Sequence, residues 1–378
     1  MNAPPFLLAQ NRRLAPPEIA RATQIAQTVR QIEETREAYV AEQQLDPRFC
    51  LSDEKWIGPS QLFQRIGRHL LEQPDHFNRL RLLSYVFSGF SLLHFQRADA
   101  VSERLHEALS IPDAEADRLL QERIPPFESD GYASLWRALR QMTPDNLLFT
   151  PPPICGEIGW EVSGTIVNHD TAAYQERVLL LHTLGLLRFL EEKIAERGVA
   201  RVLEIGSGYG ALARHLKQAL PEVAYTLCDL PEALYFSAPY LSFTHPNLET
   251  RFVTDAKSPL DSTEAMHFVP NCALPVVASR GGQFDLVINT LSLSELSAHK
   301  VQTYGALISR LIGGTGLFFE QNFDNSHLGM LNCKDHLQRH FLRRTQITTP
   351  PFNLTQGQVD VWSNRKLTLP YGATPEKP

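Results

Sequence analysis

The spacing of hydrophobic positions changes about halfway along the chain. Up to about residue 150 these positions recur at helical intervals. In the first predicted helix they are Ile19, Ile25, Val29, Ile32 and Val40. Further helices are predicted over 60–71, from about 75 to 95, over 114–122 and over 132–142. The 75–95 segment is apolar on nearly all sides, which is typical of a buried helix.

From about residue 200 short apolar runs alternate with amphipathic runs. Strands are predicted over 201–205, 224–228, 250–253, 284–288 and 316–320, with one or two more between 341 and 362. The segment 257–283 is expected to be a long loop between strands. Alternating strands and helices predict an α/β fold, in which a parallel sheet carries helices on both faces.

The run Thr150-Pro151-Pro152-Pro153 divides the chain, because a residue before proline is driven towards extended geometry. We therefore predict a helical N-terminal domain over 1–150 and an α/β domain over 200–378. The segment 151–199 is predicted to be a connecting hairpin and helix that contributes to the active site. The hairpin is expected within 156–170, and the helix that follows is expected to run to about residue 196.

Composition excludes several classes of protein. The chain has 378 residues, 43% hydrophobic and 21% charged, as in ordinary globular proteins. A net charge of −6 argues against a dedicated nucleic-acid binder. Five widely spaced cysteines without Cys-x-x-Cys argue against disulfides and a zinc ribbon. We expect a cytoplasmic protein without a membrane segment, since neither a signal peptide nor a long apolar run is present. We also expect no metal, because no spacing of oxygen ligands indicates one.

The most informative stretch is Glu204-x-Gly206-x-Gly208-x-Gly210, which follows a predicted buried strand and precedes a predicted helix. Glycines allow a tight turn and let a ligand lie against the backbone, and the helix N-terminus offers free N–H groups. This pattern predicts a nucleotide-type cofactor site at the end of the strand. Gly206-x-Gly208-x-x-Ala211 also fits the dinucleotide fingerprint, with Asp229 placed 23 positions after Gly206, so NAD stays an alternative.

The same stretch resembles motif I of the class I S-adenosylmethionine-dependent methyltransferases. The later runs 253–256, 284–295 and 313–320 resemble that family's further motifs, so the resemblance covers about 201–322. The runs 159–170, 229–232, 289–295 and 319–322 look like the narrower family of sugar O-methyltransferases. The resemblance implies a Rossmann-like class I methyltransferase sheet. It also implies methyl transfer from S-adenosylmethionine to a hydroxyl of a sugar or glycosylated natural product.

The resemblance implies a set of cofactor-binding residues. They are Glu204, Gly206, Ser207, Gly208, Gly210, Asp229, Leu230, Asp255, Asn289 and Tyr174. In the family an acidic residue such as Glu204 places the amino-acid end of the cofactor. Asp229 would bind the two ribose hydroxyls, because a carboxylate accepts two hydrogen bonds. Asp255 would contact the adenine amino group.

A weakly nucleophilic sugar hydroxyl calls for a general base, and Glu295, just past the fourth strand, is the candidate. His299 lies four residues later and would share a helical face with Glu295, so the two are predicted to act together. Trp160 is predicted to stack on the sugar ring. The full set of predicted acceptor-binding residues is Trp160, Glu161, Asn168, Gln321 and Asn322.

Two other functions stay open at this point. One is an NAD-dependent oxidoreductase that uses the same glycine turn. The other is a methyltransferase-like scaffold without turnover, since fold resemblance does not establish function. The helical N-terminal domain is expected either to cover the acceptor site or to mediate formation of a homodimer.

Overall fold

The computed structural model describes residues 11–84, 126–347 and 358–365, together with 112, 114, 115 and 118. The helix predicted over 75–95 lies outside the described residues from 85 onward. Its described part forms a 3-10 turn at Pro74–Arg79 and a short helix at Leu80–Leu83. Most of the helix predicted over 114–122 also lies outside them.

The first half of the described chain is helical, as its hydrophobic spacing predicts. Its helices are α1 (Pro16–Glu42), α2 (Pro47–Cys50), α3 (Glu54–Glu72), α4 (Leu80–Leu83) and α5 (Pro126–Met142). A small antiparallel hairpin follows, made of β1 (Trp160–Val162) and β2 (Thr165–Val167). The helices α6 (His169–Thr183) and α7 (Leu186–Arg197) come next. Asn168 caps α6, because its side chain accepts a hydrogen bond from the Thr171 N–H at 2.9 Å.

The second half alternates between strand and helix. Its strands are β3 (Ala200–Ile205), β4 (Val223–Asp229), β5 (Glu249–Phe252), β6 (Ala265–Pro270), β7 (Leu286–Thr290), β8 (Leu317–Asn322), β9 (Arg343–Ile347) and β10 (Gln358–Ser363). Its helices are α8 (Ala211–Ala219), α9 (Leu234–Thr244), α10 (Leu274–Ala278), α11 (Ala298–Ile312) and α12 (Cys333–Leu337).

These strands form one eight-stranded sheet in the order β5-β6-β4-β3-β7-β8-β10-β9. Six neighbouring strands, β5, β6, β4, β3, β7 and β8, pair in parallel. The strand β10 pairs antiparallel with both β8 and β9. The order reverses between β3 and β7, and such a reversal opens a crevice at the carboxyl ends of the strands. The predicted fold class, a Rossmann-like class I methyltransferase sheet preceded by a helical region, is confirmed. The predicted final strands are present as β9 and β10.

The prediction of a long loop over 257–283 is wrong. This segment contains β6, which pairs with β4 inside the sheet, and the helix α10. The strand predicted over 250–253 is β5, which lies at the edge of the sheet instead. Every residue of β6 is buried, and strands covered on both faces lack the polar alternation that marks a half-exposed strand.

The N-terminal helices pack on the sheet rather than forming a separate core. One hydrophobic cluster contains Val29 of α1, Phe63 of α3 and Phe236 of α9. The rings of Phe63 and Phe236 lie 5.1 Å apart. The division of the chain into domains at 150 and 199 remains a prediction, and residues on both sides of it share this cluster. Within the described ranges, no helix is long and apolar enough to cross a membrane.

A buried ion pair joins α1 to the loop after β4. The Arg36 guanidinium donates to the Glu232 carboxylate at 2.9 Å, and the Glu232 side chain is fully buried. Removing one partner of such a pair leaves an uncompensated buried charge. By contrast Arg30, on the same helix, pairs with Glu34 in an exposed position.

We expect Arg36→Met to lower the free energy of unfolding by about 3 kcal/mol, measured by urea denaturation. Arg30→Met, the matched control, should lower it by less than about 1 kcal/mol. The double variant Arg36→Met/Glu232→Gln should recover part of the loss. Equal effects of Arg36→Met and Arg30→Met would contradict this account of the contact.

Candidate active site

A cavity of about 220 Å³ lies where β6, β4, β3 and β7 end. Because these strands are parallel and adjacent, their carboxyl ends meet at one edge of the sheet. The ends of these strands and the segments that follow them form one side of the cavity. Residues of α3, α6 and α11 form the other side. The lining residues are Ser52, Asp53, Trp56, Tyr174, Arg177, Glu204, Ile205, Gly206, Gly208, Asp229, Leu230, Asn271, Thr290, Leu291, Ser292, Glu295, Leu296, Lys300 and Tyr304.

The glycine turn forms part of the cavity wall, as predicted for Gly206 and Gly208. All three glycines of the turn have positive φ, with values of 73° at Gly206, 56° at Gly208 and 88° at Gly210. A Cβ atom at Gly206 would overlap with the Oγ of Ser292. The turn after β3 therefore packs directly against the loop after β7. Gly210 packs on Leu241, and neither Gly210 nor Ser207 lines the cavity.

Asp229, the last residue of β4, is fastened to the glycine turn. Its Oδ2 accepts a hydrogen bond from the Gly208 N–H at 3.1 Å, and its Oδ1 accepts one from the Leu230 N–H at 2.8 Å. Burial raises the pKa of Asp229 to about 6, although these backbone donors oppose the shift. Asp229 and Leu230, both predicted to bind the cofactor, line the cavity.

A buried carboxyl and a buried guanidinium lie at the same part of the wall. Burial raises the pKa of Glu204 to about 8, opposed by a hydrogen bond from the Tyr225 hydroxyl at 2.9 Å and by the charge of Arg177. Arg177 is only 7% exposed, and its guanidinium carbon lies 4.6 Å from the centre of the Tyr174 ring. Its Nε has no hydrogen-bond partner, and no described residue forms an ion pair with it. An unpaired buried cation facing a cavity is typical of an anion-binding position.

Asn289 lies behind the cavity lining and holds it in place through hydrogen bonds. Its amide donates to the Ile205 carbonyl at 2.8 Å and to the Ser292 hydroxyl at 2.5 Å. Its Oδ1 accepts from the Asn322 amide, which also donates to Glu320, while the Asn322 oxygen accepts from the Ser294 N–H. The network ties the ends of β3, β7 and β8 together. Asn289 and Asn322, predicted to bind cofactor and acceptor, therefore lie outside the cavity lining.

Glu295 lines the cavity, whereas His299 does not. The 3-10 turn Leu293–Glu295 ends in extended geometry at Leu296, and α11 begins only at Ala298. The prediction that Glu295 and His299 share one helical face is therefore wrong. The Nε2 of His299 lies 2.7 Å from the Asp46 carboxylate instead. Burial raises the pKa of Glu295, opposed by a hydrogen bond from the Trp56 indole and by the charge of Lys55.

Asp255 lies apart from the cavity. It follows the edge strand β5, and its Oδ1 accepts hydrogen bonds from the N–H groups of Lys257 and Ser258 in its own turn. The position after the inner strand β6 is held by Asn271, which lines the cavity and whose buried Oδ1 has no hydrogen-bond partner. The strand predicted for the inner sheet position is the edge strand, and the polar residue after the inner strand is Asn271 instead of Asp255.

The residues predicted to bind the acceptor also lie outside the cavity lining. Trp160 is buried in the hairpin, and Glu161 is exposed on its opposite face. The amide of Asn168 donates to Glu157 at 2.9 Å besides capping α6. Gln321 is fully buried within β8. These residues are placed by strand pairing, capping and packing.

Several lining residues were missed by the sequence analysis. Lys300 and Tyr304 lie four residues apart on one face of α11, a spacing that the sequence could have shown. Ser52, Asp53 and Trp56 come from a segment nearly 150 residues before the glycine turn, and no local pattern connects the two. Among the residues that the structure describes, no group of three or more His, Cys, Asp or Glu side chains could hold a metal ion.

No family model and no curated protein matches this chain. Among solved structures it is similar to a TehB-like SAM-dependent methyltransferase from Corynebacterium glutamicum, with 18% identity over 51% of this chain and 97% of that chain, at a TM-score of 0.33.

Two further solved structures match over about half of the chain. PigF with SAH shows 16% identity over 51% of this chain and 59% of that chain, at a TM-score of 0.32. The bifunctional kinase-methyltransferase WbdD shows 16% identity over 50% of this chain and 41% of that chain, at a TM-score of 0.36. The chain thus spans less than two thirds of PigF and of WbdD. The doubly wound α/β architecture is given by the strand order of this chain itself.

The close approach at Gly206 can be tested by adding one methyl group. We expect Gly206→Ala to lower the free energy of unfolding by about 1–2 kcal/mol through left-handed strain, and by about 1–3 kcal/mol more through overpacking against Ser292. Gly164→Ala is the matched control, because Gly164 has a φ of 78° but open space around it. Chemical denaturation of both variants measures the difference. Equal losses would contradict the contact with Ser292.

Proposed function

We propose that this protein is an S-adenosylmethionine-dependent methyltransferase that acts on a hydroxyl of a sugar or a glycosylated natural product. The observation that carries the proposal is the buried Glu204 and unpaired Arg177 beside the glycine turn. A carboxyl and a guanidinium at one wall match the ammonium and carboxylate of an amino acid. S-adenosylmethionine joins such an amino-acid end to a nucleoside.

The remaining wall fits the nucleoside part. Asp229 offers carboxylate oxygens that accept hydrogen bonds from a ribose diol. Gly206 and Gly208, both with positive φ, have no side chains, so a nucleoside can lie directly against the backbone of the turn. Asn271 has an unpartnered amide oxygen in reach of the same cavity and would accept from an adenine amino group.

The NAD alternative is less well supported by this wall. A dinucleotide places a pyrophosphate at the glycine turn, where Glu204 is buried. A pyrophosphate would favour the protonated form of this carboxyl further, whereas an ammonium group beside it would compensate the ionised carboxylate. The scaffold alternative leaves unexplained why Glu295 is held at the wall with its pKa raised by burial.

We assign the general-base role to Glu295. Bound S-adenosylmethionine supplies an electrophilic methyl group on a positively charged sulfur. As the acceptor O–H bond breaks, its proton passes to the Glu295 carboxylate and later to solvent. The acceptor oxygen bonds to the methyl carbon, and the electron pair of the broken carbon–sulfur bond stays on sulfur. A base with a raised pKa suits this step near neutral pH.

The residues on the other side of the cavity support a sugar as the acceptor. Trp56 lines it together with the polar side chains of Ser52, Asp53 and Lys300. An aromatic ring among donors and acceptors suits the alternating apolar and hydroxyl surfaces of a sugar. We also propose that the N-terminal helices cover this site. A homodimer and a cytoplasmic location remain predictions.

The cofactor class is tested by calorimetric titration with S-adenosylmethionine, S-adenosylhomocysteine and, separately, NAD. We expect micromolar binding of the first two and none of NAD. Asp229→Ala should weaken binding at least tenfold, about 1.4 kcal/mol, because the ribose loses its carboxylate partner. Asp255→Ala should leave binding unchanged, since Asp255 lies outside the cavity. Binding of NAD instead, or of none of the three, would overturn the proposal.

The role of Arg177 is tested with two ligands that differ only in the amino-acid end. We expect Arg177→Met to weaken S-adenosylhomocysteine at least tenfold but to leave 5′-methylthioadenosine within about twofold. The control is Arg188→Met, at an exposed position on α7. An equal loss for both ligands would mean that Arg177 acts on the fold of the cavity rather than on the carboxylate.

A further inference from the structure

Part of the cavity wall is unrelated to the glycine turn. Trp56, in the first turn of α3, lines the cavity opposite the strand ends. Glu295 lines the same cavity, and the nearby Trp56 indole N–H favours the ionised form of its carboxyl, against the effect of burial on its pKa. A residue from the N-terminal region thus lies beside the group assigned as the base. The ring also contacts the main hydrophobic core, with the Phe63 ring 6.4 Å away.

Hydrogen bonds and an ion pair connect the segment that carries Trp56 to the region after β7. The Asp53 carboxylate accepts hydrogen bonds from the Ser297 N–H at 2.8 Å and from the Ser297 hydroxyl at 3.1 Å. The Lys300 ammonium donates to the Leu51 carbonyl and lies 3.6 Å from the Asp53 carboxylate. Each contact joins residues more than 240 positions apart, so the position of Trp56 relative to Glu295 is built by the tertiary structure.

A hydrogen bond on the other side of the cavity connects the same segment to the turn after β4. The Ser52 hydroxyl donates to Glu232 at 3.4 Å, and Glu232 is the residue held by Arg36. Glu232 follows Asp229 by three positions, so the same contacts connect this segment to the ribose-binding carboxylate. The segment 51–56 therefore spans from the nucleoside side of the cavity to the Glu295 side.

We propose that Trp56 is the sugar platform of the acceptor subsite and the positioning residue for Glu295. This rests on the proposed function. One face of the indole takes the apolar face of a pyranose ring, and the indole N–H holds the carboxylate beside a ring hydroxyl. Among the described lining residues the lysine at this end, Lys300, already lies 3.6 Å from the Asp53 carboxylate, so the subsite takes a neutral sugar rather than an anionic one.

The binding role is tested on protein saturated with S-adenosylhomocysteine. Methyl pyranosides of glucose, mannose and rhamnose are titrated to about 100 mM and followed by ligand-observed NMR. We expect weak binding of at least one pyranoside, about tenfold weaker in Trp56→Ala. Trp56→Phe keeps a ring and should stay within about threefold of the original protein. Ile57→Ala, at a half-exposed neighbouring position outside the cavity lining, is the control and should bind as the original protein does.

The positioning role has a spectroscopic readout. In protein labelled with ¹⁵N-tryptophan, the indole signal that disappears in Trp56→Phe belongs to Trp56. We expect Glu295→Gln to shift that signal, because the donor then faces a neutral amide oxygen instead of a carboxylate. The indole signals of Trp136 and Trp362, which are buried elsewhere, should remain in place.

The outcomes separate the two proposals. If the original protein does not bind S-adenosylhomocysteine, the proposed function is overturned. Retained binding of S-adenosylhomocysteine without any pyranoside binding overturns the acceptor subsite alone. So does pyranoside affinity that is unchanged in Trp56→Ala. An unshifted Trp56 indole signal in Glu295→Gln overturns the positioning role.

Discussion

The contact between Gly206 and Ser292 is the constraint on which the cavity depends. It brings the end of β3 against the loop after β7, with no space for a Cβ atom between them. Leu291, next to Ser292, has a φ of 65°, a strained conformation for a residue with a branched side chain. The Asn289 amide holds both sides by donating to Ile205 and to Ser292. The strain is therefore stored where the wall of the cavity is made, and the surrounding hydrogen bonds keep it in place.

The cavity also depends on residues far from the sheet in sequence. Arg36 pairs with the buried Glu232, and Asp53 accepts two hydrogen bonds from Ser297. These contacts place α1 and the start of α3 over the strand ends. A sheet of this kind offers a crevice at its carboxyl edge in many proteins, but the residues that cover the crevice decide which acceptor can reach it. Here the cover supplies an aromatic ring and hydrogen-bonding groups.

Burial alters the charged groups of the wall in a consistent direction. It raises the pKa values of Glu204, Asp229 and Glu295, because an ionised carboxylate is poorly solvated there. Arg177 is buried without an ion pair among the described residues. Such groups lower the stability of the protein by itself, and a ligand of complementary charge would restore their interactions. The proposed ligand, which carries both an ammonium and a carboxylate, would supply such charges.

The amino-acid sequence by itself determined the parts that depend on neighbouring residues. The helical first half, the alternating second half and the glycine turn after β3 follow from local spacing, and so does the position of Asp229 at the end of β4. The tertiary structure decided the rest. It placed Asn271 rather than Asp255 in the cavity lining, because β6 and not β5 pairs with β4. It separated Glu295 from His299 through an extended residue, and it placed Trp56 rather than Trp160 at the cavity. Spacing along a chain shows which face of an element is apolar, but contacts across hundreds of residues determine what that face meets.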